Sequence, residues 1–220
     1  MARIGLCYPK IPGSRQAPLE RCIAFEKYDG TNLHWVWQAE QGWTHFGMRR
    51  DRFEFTPAGI EAFAAAHAEC REAPAIFVRD WQEPLGDVLR EQFVESSPVV
   101  AFTEFFGPGS FAGRHRDAEP KTIKLFDVGT PCGLIGAETF EARFKTLDIA
   151  RVVYRGKLTG RFIHDVREGR YGVQEGVVCK GGEGAGLWML KIKTAAYQRR
   201  LQEASRRRLG ELLGMNRAMR

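Results

Sequence analysis

The chain has 220 residues, enough to bury one substantial core without a disulfide or a metal to hold it together. Hydrophobic residues make up 44% and charged residues 27%, as in globular domains, and no apolar run approaches the ~20 residues of a membrane span, so we expect a soluble protein. The net charge is +6, of which residues 195–220 carry +5, so a polyanionic partner is favoured.

The turn-forming and helix-capping residues along the sequence predict a strand-rich domain with a few helices. Asp29-Gly30 separates two runs rich in aromatic and β-branched residues, at 22–28 and 33–38, and this pattern predicts a hairpin-like pair. Thr56, Pro57 and an alanine-rich body predict a helix at 58–71. Further strands are predicted at 98–106, 121–128, 151–155, 173–180 and 186–193, and helices at 84–94, 137–149 and 195–213. The order indicates an α+β fold with mostly antiparallel pairing.

The cysteines indicate the compartment. Five of them are scattered through the chain without a C-x-x-C pair, which argues against a disulfide framework and against a structural zinc site. The N-terminal residues have no sustained apolar segment followed by a small-residue cleavage site. A cytoplasmic location with reduced thiols is therefore expected, with no membrane association.

Lys27 stands between strand residues and a turn, where a lysine is ordinarily a solvated charge. Used as a nucleophile, its amine must lose a proton near neutral pH, and desolvation or neighbouring cations can lower its pKa to allow that. Lys191 and Lys193 lie two residues apart in a predicted strand, so they share one face. This pair could supply those cations and bind a phosphate, or it could be an ordinary solvated edge.

The order of several motifs favours the chemical alternative. Lys27-Tyr28-Asp29-Gly30 resembles motif I (K-x-D-G) of the covalent nucleotidyltransferases, which comprise ATP-dependent DNA ligases, RNA ligases and mRNA capping enzymes. The following Thr31-Asn32 is similar to the RNA ligase 2 branch. Segments 47–50, 102–107, 125–128, 175–180 and 191–193 resemble motifs Ia, III, IIIa, IV and V in that order.

The resemblance implies a fold and an activity. The fold would be an α+β nucleotidyltransferase (ATP-grasp-like) domain of mostly antiparallel sheets flanked by helices, spanning 1–194, followed by a basic amphipathic helix and tail at 195–220. The activity would be that of an ATP-dependent RNA ligase, which joins 3′-hydroxyl and 5′-phosphate RNA ends in RNA repair through a covalent lysyl-AMP. ATP and Mg²⁺ or Mn²⁺ are the implied cofactors, and RNA is the implied partner.

The resemblance also implies roles for particular residues. Lys27 would be the nucleophile, Glu104 would accept a hydrogen bond from a ribose hydroxyl, and Phe126 would stack on the adenine. Glu175 and Asp127 would contact the metal, Asp127 alternatively supporting its strand. Further nucleotide contacts are implied for Glu26, Asn32, Arg49, Lys180, Lys191 and Lys193.

Two of these assignments are left open by the sequence. Lys180 follows Glu175 by five positions, and on a regular strand that odd spacing turns the two side chains to opposite faces. Arg49 and Arg50 are adjacent, and the family pattern alone favours Arg49.

Alternatives to an RNA ligase are kept. A DNA ligase or a capping-type guanylyltransferase would share the chemistry, and Thr31-Asn32 speaks against both. A noncatalytic nucleic-acid-binding protein on a degenerate transferase fold would lack it. Ligases of this superfamily carry a further domain after motif V, so a partner protein supplying that domain is one expectation, and RNA contacts from Arg206, Arg207 and Arg208 are another.

Overall fold

The fold was analysed in a computed structural model, which describes residues 5–116 and 119–218, with the side chains of residues 210 and 212–218 left aside. The strands are β1 (Arg21–Lys27), β2 (Thr31–Gln38), β3 (Gly42–Met48), β4 (Phe53–Glu54), β5 (Val99–Phe106), β6 (Thr122–Thr130), β7 (Gly133–Leu134), β8 (Val152–Lys157), β9 (Gly176–Gly181) and β10 (Trp188–Lys193). The helices are α1 (Pro57–Ala66), α2 (Ala73–Asp80), α3 (Gln82–Gln92), α4 (Ala137–Phe144), α5 (Gly160–Arg167) and α6 (Ala195–Ala218).

The strands form two antiparallel sheets. The smaller sheet has the order β10-β9-β1-β8, and the larger has the order β4-β3-β2-β5-β6-β7. The predicted hairpin of β1 and β2 is therefore wrong, because these strands belong to different sheets and the turn at Asp29-Gly30 carries the chain from one sheet to the other. The α+β class and the antiparallel pairing are confirmed.

One face of the larger sheet holds the main core. Leu33, Trp35 and Trp37 alternate along β2 and are fully buried against the helical layer of α1 to α3. The Trp35 ring stacks on Phe77 of α2 with 3.7 Å between ring centroids, and its Nε1 donates to Thr103 Oγ1 at 2.8 Å. Burial of aromatic side chains of this size stabilises the layer by roughly 2–3 kcal/mol each.

The smaller sheet is covered on both faces. Cys22 and Ala24 of β1 pack with Phe162 and Val166 of α5, whose first turn is capped by the Thr159 hydroxyl. The alternate residues of β1 point toward α4 and the larger sheet. That second face forms one wall of the cavity described below.

Most predicted elements are present with shifted ends. Helix α1 begins at Pro57 behind the Thr56 cap, as predicted, but ends at Ala66, where His67 leaves helical geometry. Strand β3 and helices α2 and α5 were not predicted. No helix among the described residues combines the length and the apolarity needed to cross a membrane.

The C-terminal helix α6 runs from Ala195 to Ala218, five residues beyond the predicted end. Thr194 caps it, with its Oγ1 accepting from the Tyr197 N–H at 3.1 Å. Tyr197 is buried and Leu201 half-buried, whereas Ala204 and Leu209 are exposed, so among the side chains described for this helix it is those of the first turns that dock on the domain.

Candidate active site

A cavity of about 800 Å³ lies between the two sheets, beside the turn that joins them. This volume is in the range of small-molecule and cofactor sites. Nine of the eleven residues proposed from the sequence line it, namely Glu26, Lys27, Asn32, Arg49, Glu104, Phe126, Glu175, Lys180 and Lys193. The structure thus brings together residues that are up to 167 positions apart in the sequence.

Lys27 is the last residue of β1 and projects into the cavity from the inner face of the smaller sheet. Its Nζ donates to Glu175 Oε2 at 3.0 Å, and Glu175 is only 3% exposed. The other oxygen of the same carboxylate lies 2.9 Å from Lys193 Nζ. One buried carboxylate is therefore shared by two ammonium groups.

The charges around Lys27 set its protonation state. Burial alone lowers the pKa of Lys27, but the carboxylates of Glu104 and Glu175 outweigh it and raise that pKa above its ordinary value. The sequence had suggested that Lys191 and Lys193 would lower the pKa of Lys27. The net shift has the opposite direction, because the charges of Glu104 and Glu175 raise the pKa of Lys27 by more than burial lowers it.

Glu104, on β5, faces Lys27 across the cavity. Its Oε1 accepts from the Gly30 N–H at 3.0 Å. Burial raises the pKa of Glu104 to about 7, against the opposing charge of Lys27. The charge of Glu104 therefore changes near neutral pH.

The Asp-Gly pair of motif I positions the backbone of two segments that meet beside Lys27. Asp29 accepts from the N–H groups of Ala112 and Gly113 at 2.6 and 2.9 Å, and both of these residues have positive φ. A Cβ on Gly30 would lie 2.3 Å from the Phe105 carbonyl oxygen, so only glycine fits there. The loop after β5 is thereby clasped against the turn that follows Lys27.

The odd spacing of Glu175 and Lys180 is resolved by Gly176. Glu175 precedes β9, and Gly176 has a φ of +154° with no room for a Cβ, which would meet the Ile192 carbonyl oxygen at 2.0 Å. The backbone changes direction at this glycine. Both side chains therefore line the cavity despite their spacing.

Phe126 lines the cavity where it meets an unpredicted tyrosine. Tyr8 packs edge-on against Phe126 with 4.9 Å between ring centroids, and its hydroxyl donates to Asp127 Oδ2 at 2.6 Å. Asp127 Oδ1 lies 2.6 Å from Lys180 Nζ, and both residues are almost completely buried. Removing either partner would leave a buried charge unpaired, at a cost of about 3–5 kcal/mol.

Asp127 does not fit the predicted metal contact. Its carboxylate is fully buried, is engaged by Lys180 and Tyr8, and does not line the cavity. The alternative expectation for Asp127, support of its own strand, agrees with these contacts. Asp127 holds Lys180 and Tyr8 in place beneath Phe126.

The remaining predicted residues differ in how they face the cavity. Arg49 lines it and has a positive φ of 50°, whereas Arg50 does not line it, so the geometry favours Arg49. Glu26 alternates with Lys27 along β1, and its carboxylate pairs with Arg151 at 2.8 Å. Lys191 shares the face of Lys193 but stands outside the cavity lining.

Tyr197 of α6 is a site residue whose role the sequence did not suggest. Its ring lies 4.7 Å from Lys193 Nζ, within the range of a cation–π contact, and it meets Phe111 edge-on at 5.7 Å. The pKa of Tyr197 is raised by burial and by the charges of Glu175 and Asp29. An aromatic residue four positions after Lys193 was the available signal, and it was interpreted only as helix packing.

Divalent metal binding depends on oxygen donors in the cavity. Among the described residues, no group of three or more His, Cys, Asp or Glu side chains is arranged to hold a metal ion by itself. Mg²⁺ usually needs only one or two protein carboxylates and takes its other oxygens from phosphates and water. The cavity fits that mode through Glu175, and it does not offer a preformed all-protein site.

The fold and this cavity define a class of protein. Comparison with solved structures shows that the chain has the fold of ATP-dependent RNA ligases. No protein-family model matches the sequence, and no curated protein matches it.

Three solved structures illustrate the likeness. An archaeal ATP-dependent RNA ligase has a TM-score of 0.59 at 16% identity and covers 88% of this chain and 50% of its own. A Naegleria gruberi RNA ligase variant with AMP and Mn has a TM-score of 0.59 at 14% identity, covering 87% and 57%. The Naegleria gruberi enzyme with pyrophosphate gives 0.56 at 13%, covering 92% and 62%. The chain thus spans about half to three fifths of these proteins.

Proposed function

We propose that the protein is an ATP-dependent RNA ligase in which Lys27 forms a covalent lysyl-AMP. The observation that carries this proposal is the Lys27 amine, 3.0 Å from a carboxylate that it shares with Lys193, in a cavity of nucleotide size. The ligase fold supports the reaction class, and Thr31-Asn32 supports RNA over DNA or a cap as the substrate.

The first step transfers the adenylyl group to the protein. The neutral Lys27 amine attacks the α-phosphorus of ATP, a nitrogen–phosphorus bond forms, and the bond from that phosphorus to the pyrophosphate oxygen breaks. The amine must first lose its proton, and Glu175 Oε2 is the carboxylate oxygen that accepts its hydrogen bond. Lys193, which lines the cavity 2.9 Å from Glu175, would neutralise charge on the α-phosphate, and Lys191 lies two positions before it on the same face.

The other cavity residues would bind the rest of the nucleotide. Phe126 would stack on adenine, and Glu104 would accept a hydrogen bond from a ribose hydroxyl. Asn32 and Arg49 would contact the ribose and phosphates from the side of the larger sheet. Lys180 is already paired with Asp127, so we assign it to bracing the adenine wall.

Glu175 would contact the metal that accompanies ATP, either Mg²⁺ or Mn²⁺. When bound, such an ion neutralises charge on the phosphate oxygens of the transferring group. The chain's own part is to present Glu175 to the cavity, and Gly176 permits this because its φ of +154° and its close approach to the Ile192 carbonyl leave no room for a Cβ at the start of β9.

Two further steps would complete RNA joining. A 5′-phosphate on RNA would attack the lysyl-AMP to give an adenylylated end with release of Lys27, and a 3′-hydroxyl would then displace AMP. We assign the nucleotidyl transfer to residues 1–194 and RNA contacts to residues 195–220, with RNA ends as substrate in RNA repair. A partner protein that contributes to strand joining and a cytoplasmic location remain predictions.

The decisive experiment is covalent labelling. Purified protein is freed of bound nucleotide and incubated with ATP, GTP or NAD and Mg²⁺ or Mn²⁺, and its intact mass is measured. We expect an AMP adduct from ATP alone. Lys27→Ala should abolish it, whereas Lys157→Ala, a matched change at an exposed position in the same sheet, should leave it unchanged.

Absence of an adduct with either metal would contradict the proposed activity and leave the noncatalytic nucleic-acid-binding protein. An adduct from GTP instead would point to a capping-type reaction. An adduct that persists in Lys27→Ala would show that another residue is the nucleophile.

A further inference from the structure

A second concave surface lies between the end of α5 and the first turn of α6. It encloses about 430 Å³, and its lining includes Arg167 with Gln174, Thr194, Arg199 and Arg200. Tyr197 lines both this groove and the cavity that holds Lys27. The groove therefore adjoins the phosphate end of the proposed nucleotide site, where Lys193 lies against the Tyr197 ring.

The lining of the groove carries a net positive charge, because it has three arginines and one acidic residue. Arg167, Arg199 and Arg200 are exposed, and within the described part of the chain none of them has a carboxylate partner within 4.0 Å. Arg167 donates to Ser14 Oγ at 3.0 Å, and the Arg200 guanidinium lies 4.2 Å from the centroid of the Phe111 ring. Glu168 is an acidic residue in the lining.

The charge continues along α6. Residues seven apart return to the same side of a helix after about 10.5 Å, so Arg206 and Arg207 lie above Arg199 and Arg200. Glu203 lies between these rows and reduces the net charge of the ridge. Arg199 and Arg206 lie on the side of α6 opposite the stripe of Tyr197 and Leu201 that docks on the domain, whereas Arg200 and Arg207 lie at the flank of that stripe.

We propose that this groove binds backbone phosphates of the RNA strand whose 5′-phosphate reaches Lys27. The inference rests on the proposed ligase function and adds the surface on which RNA lies. Guanidinium groups are permanently charged and pair with phosphate oxygens through two parallel hydrogen bonds. Such contacts position the strand without reading its sequence. The shared Tyr197 wall connects this surface to the reacting amine.

Replacement of Arg167 and Arg199 tests the groove. Arg200 is left intact, because it packs on Phe111 in the loop that Asp29 clasps next to Lys27. Affinity for a short 5′-phosphorylated single-stranded RNA is measured by fluorescence anisotropy over a series of salt concentrations. Each lost phosphate contact flattens the slope of log affinity against log salt by about 0.7, so the double alanine variant should lose roughly 1.4.

Two matched variants control for charge and fold. Arg79→Ala with Arg90→Ala removes the same number of charges from α2 and α3, over the other sheet, and should keep the wild-type slope. Arg167→Lys with Arg199→Lys retains the charge and should keep most of the slope. Thermal melting of each variant checks that the fold is intact.

The outcomes separate this proposal from the ligase function. A wild-type salt slope in Arg167→Ala with Arg199→Ala, or an equal loss in the α2–α3 control, overturns the groove as an RNA site. Formation of the AMP adduct is measured in the same preparations without RNA. Absence of the AMP adduct in the wild-type protein would contradict the proposed ligase function. The salt dependence of RNA affinity would still test whether the groove binds RNA.

Discussion

The shared carboxylate of Glu175 influences the charge state of the lysines that face it. Two lysine ammonium groups meet it, and Glu104 adds a second carboxylate near Lys27. These charges raise the pKa of Lys27 and so stabilise the ammonium form of the proposed nucleophile. Its reactivity should depend on how strongly these carboxylates retain the proton.

The pH dependence of adenylylation tests that account. Because the pKa of Lys27 is raised, the neutral amine and the rate constant at low ATP should both increase as the pH rises. Glu104→Gln removes one of the charges that raise the pKa of Lys27. The rising part of the pH–rate profile of this variant should therefore shift to lower pH, whatever its absolute rate. The measurement is the rate of AMP adduct formation between pH 6 and pH 10, with concentrations of ATP far below saturation.

Glu95→Gln serves as the control, because Glu95 is exposed and does not line the cavity. Its profile should coincide with that of the wild-type protein. An unshifted profile for Glu104→Gln would show that Glu104 does not set the charge on Lys27.

The structure also distinguishes the two lysines of motif V. Lys193 lies 2.9 Å from Glu175 and lines the cavity, whereas Lys191 does not line it. Loss of a group that stabilises transition-state charge typically costs about 10²- to 10³-fold, so we expect that loss of rate for Lys193→Ala and less than about tenfold for Lys191→Ala. Single-turnover adenylylation measures both. Lys121→Ala is the control, since Lys121 donates to the carbonyl of Glu119 away from the cavity.

At the scale of elements, the first turn of α6 contributes Tyr197 to the candidate active site. Tyr197 supports Lys193 with its ring and touches Phe111 in the clasped loop. Tyr197→Leu should slow adenylylation by about 3- to 30-fold through loss of the cation–π contact. Tyr197→Phe keeps the ring and should retain most of the rate.

Single-turnover rates at saturating and at low ATP separate positioning of Lys193 from nucleotide binding. A ring-dependent effect on the rate at saturation is expected. If Tyr197→Phe and Tyr197→Leu were equally slow, the hydroxyl beside Asp29, and not the ring, would be the important group.

Across the whole molecule, the sequence predicted the strands and the residues that meet in the cavity better than it predicted the connections between strands. The strands that carry Lys27, Glu104 and Lys193 were predicted within a few residues, because alternation and turn residues mark them locally. The hairpin at Asp29-Gly30 was wrong, since a tight turn between two strands does not reveal whether they share a sheet. That choice depends on long-range pairing of β1 with β8 and β9.

The contacts and elements that the sequence did not predict also depend on packing between distant parts of the chain. Tyr8 reaches Asp127 from 119 positions away, and nothing local in the N-terminal segment indicates this contact. Helix α5 was not predicted, because it is short and its Thr159 cap lies in a stretch between two predicted strands. Gly176 resolves the spacing of Glu175 and Lys180 only through the crowding at the Ile192 carbonyl, which a sequence cannot display.

The hydrogen bonds that Asp29 accepts change what can be inferred from the presence of motif I in a sequence. The Asp29 carboxylate binds the N–H groups of Ala112 and Gly113, and Gly30 is required by the Phe105 carbonyl, so the Asp-Gly pair records how the loop closes. A descendant that had abandoned group transfer would need this pair as much as an active one. Retention of Asp-Gly with loss of the lysine would then indicate a related protein that keeps the fold without the proposed group transfer. Lys27 is the residue of the motif that indicates the proposed catalysis.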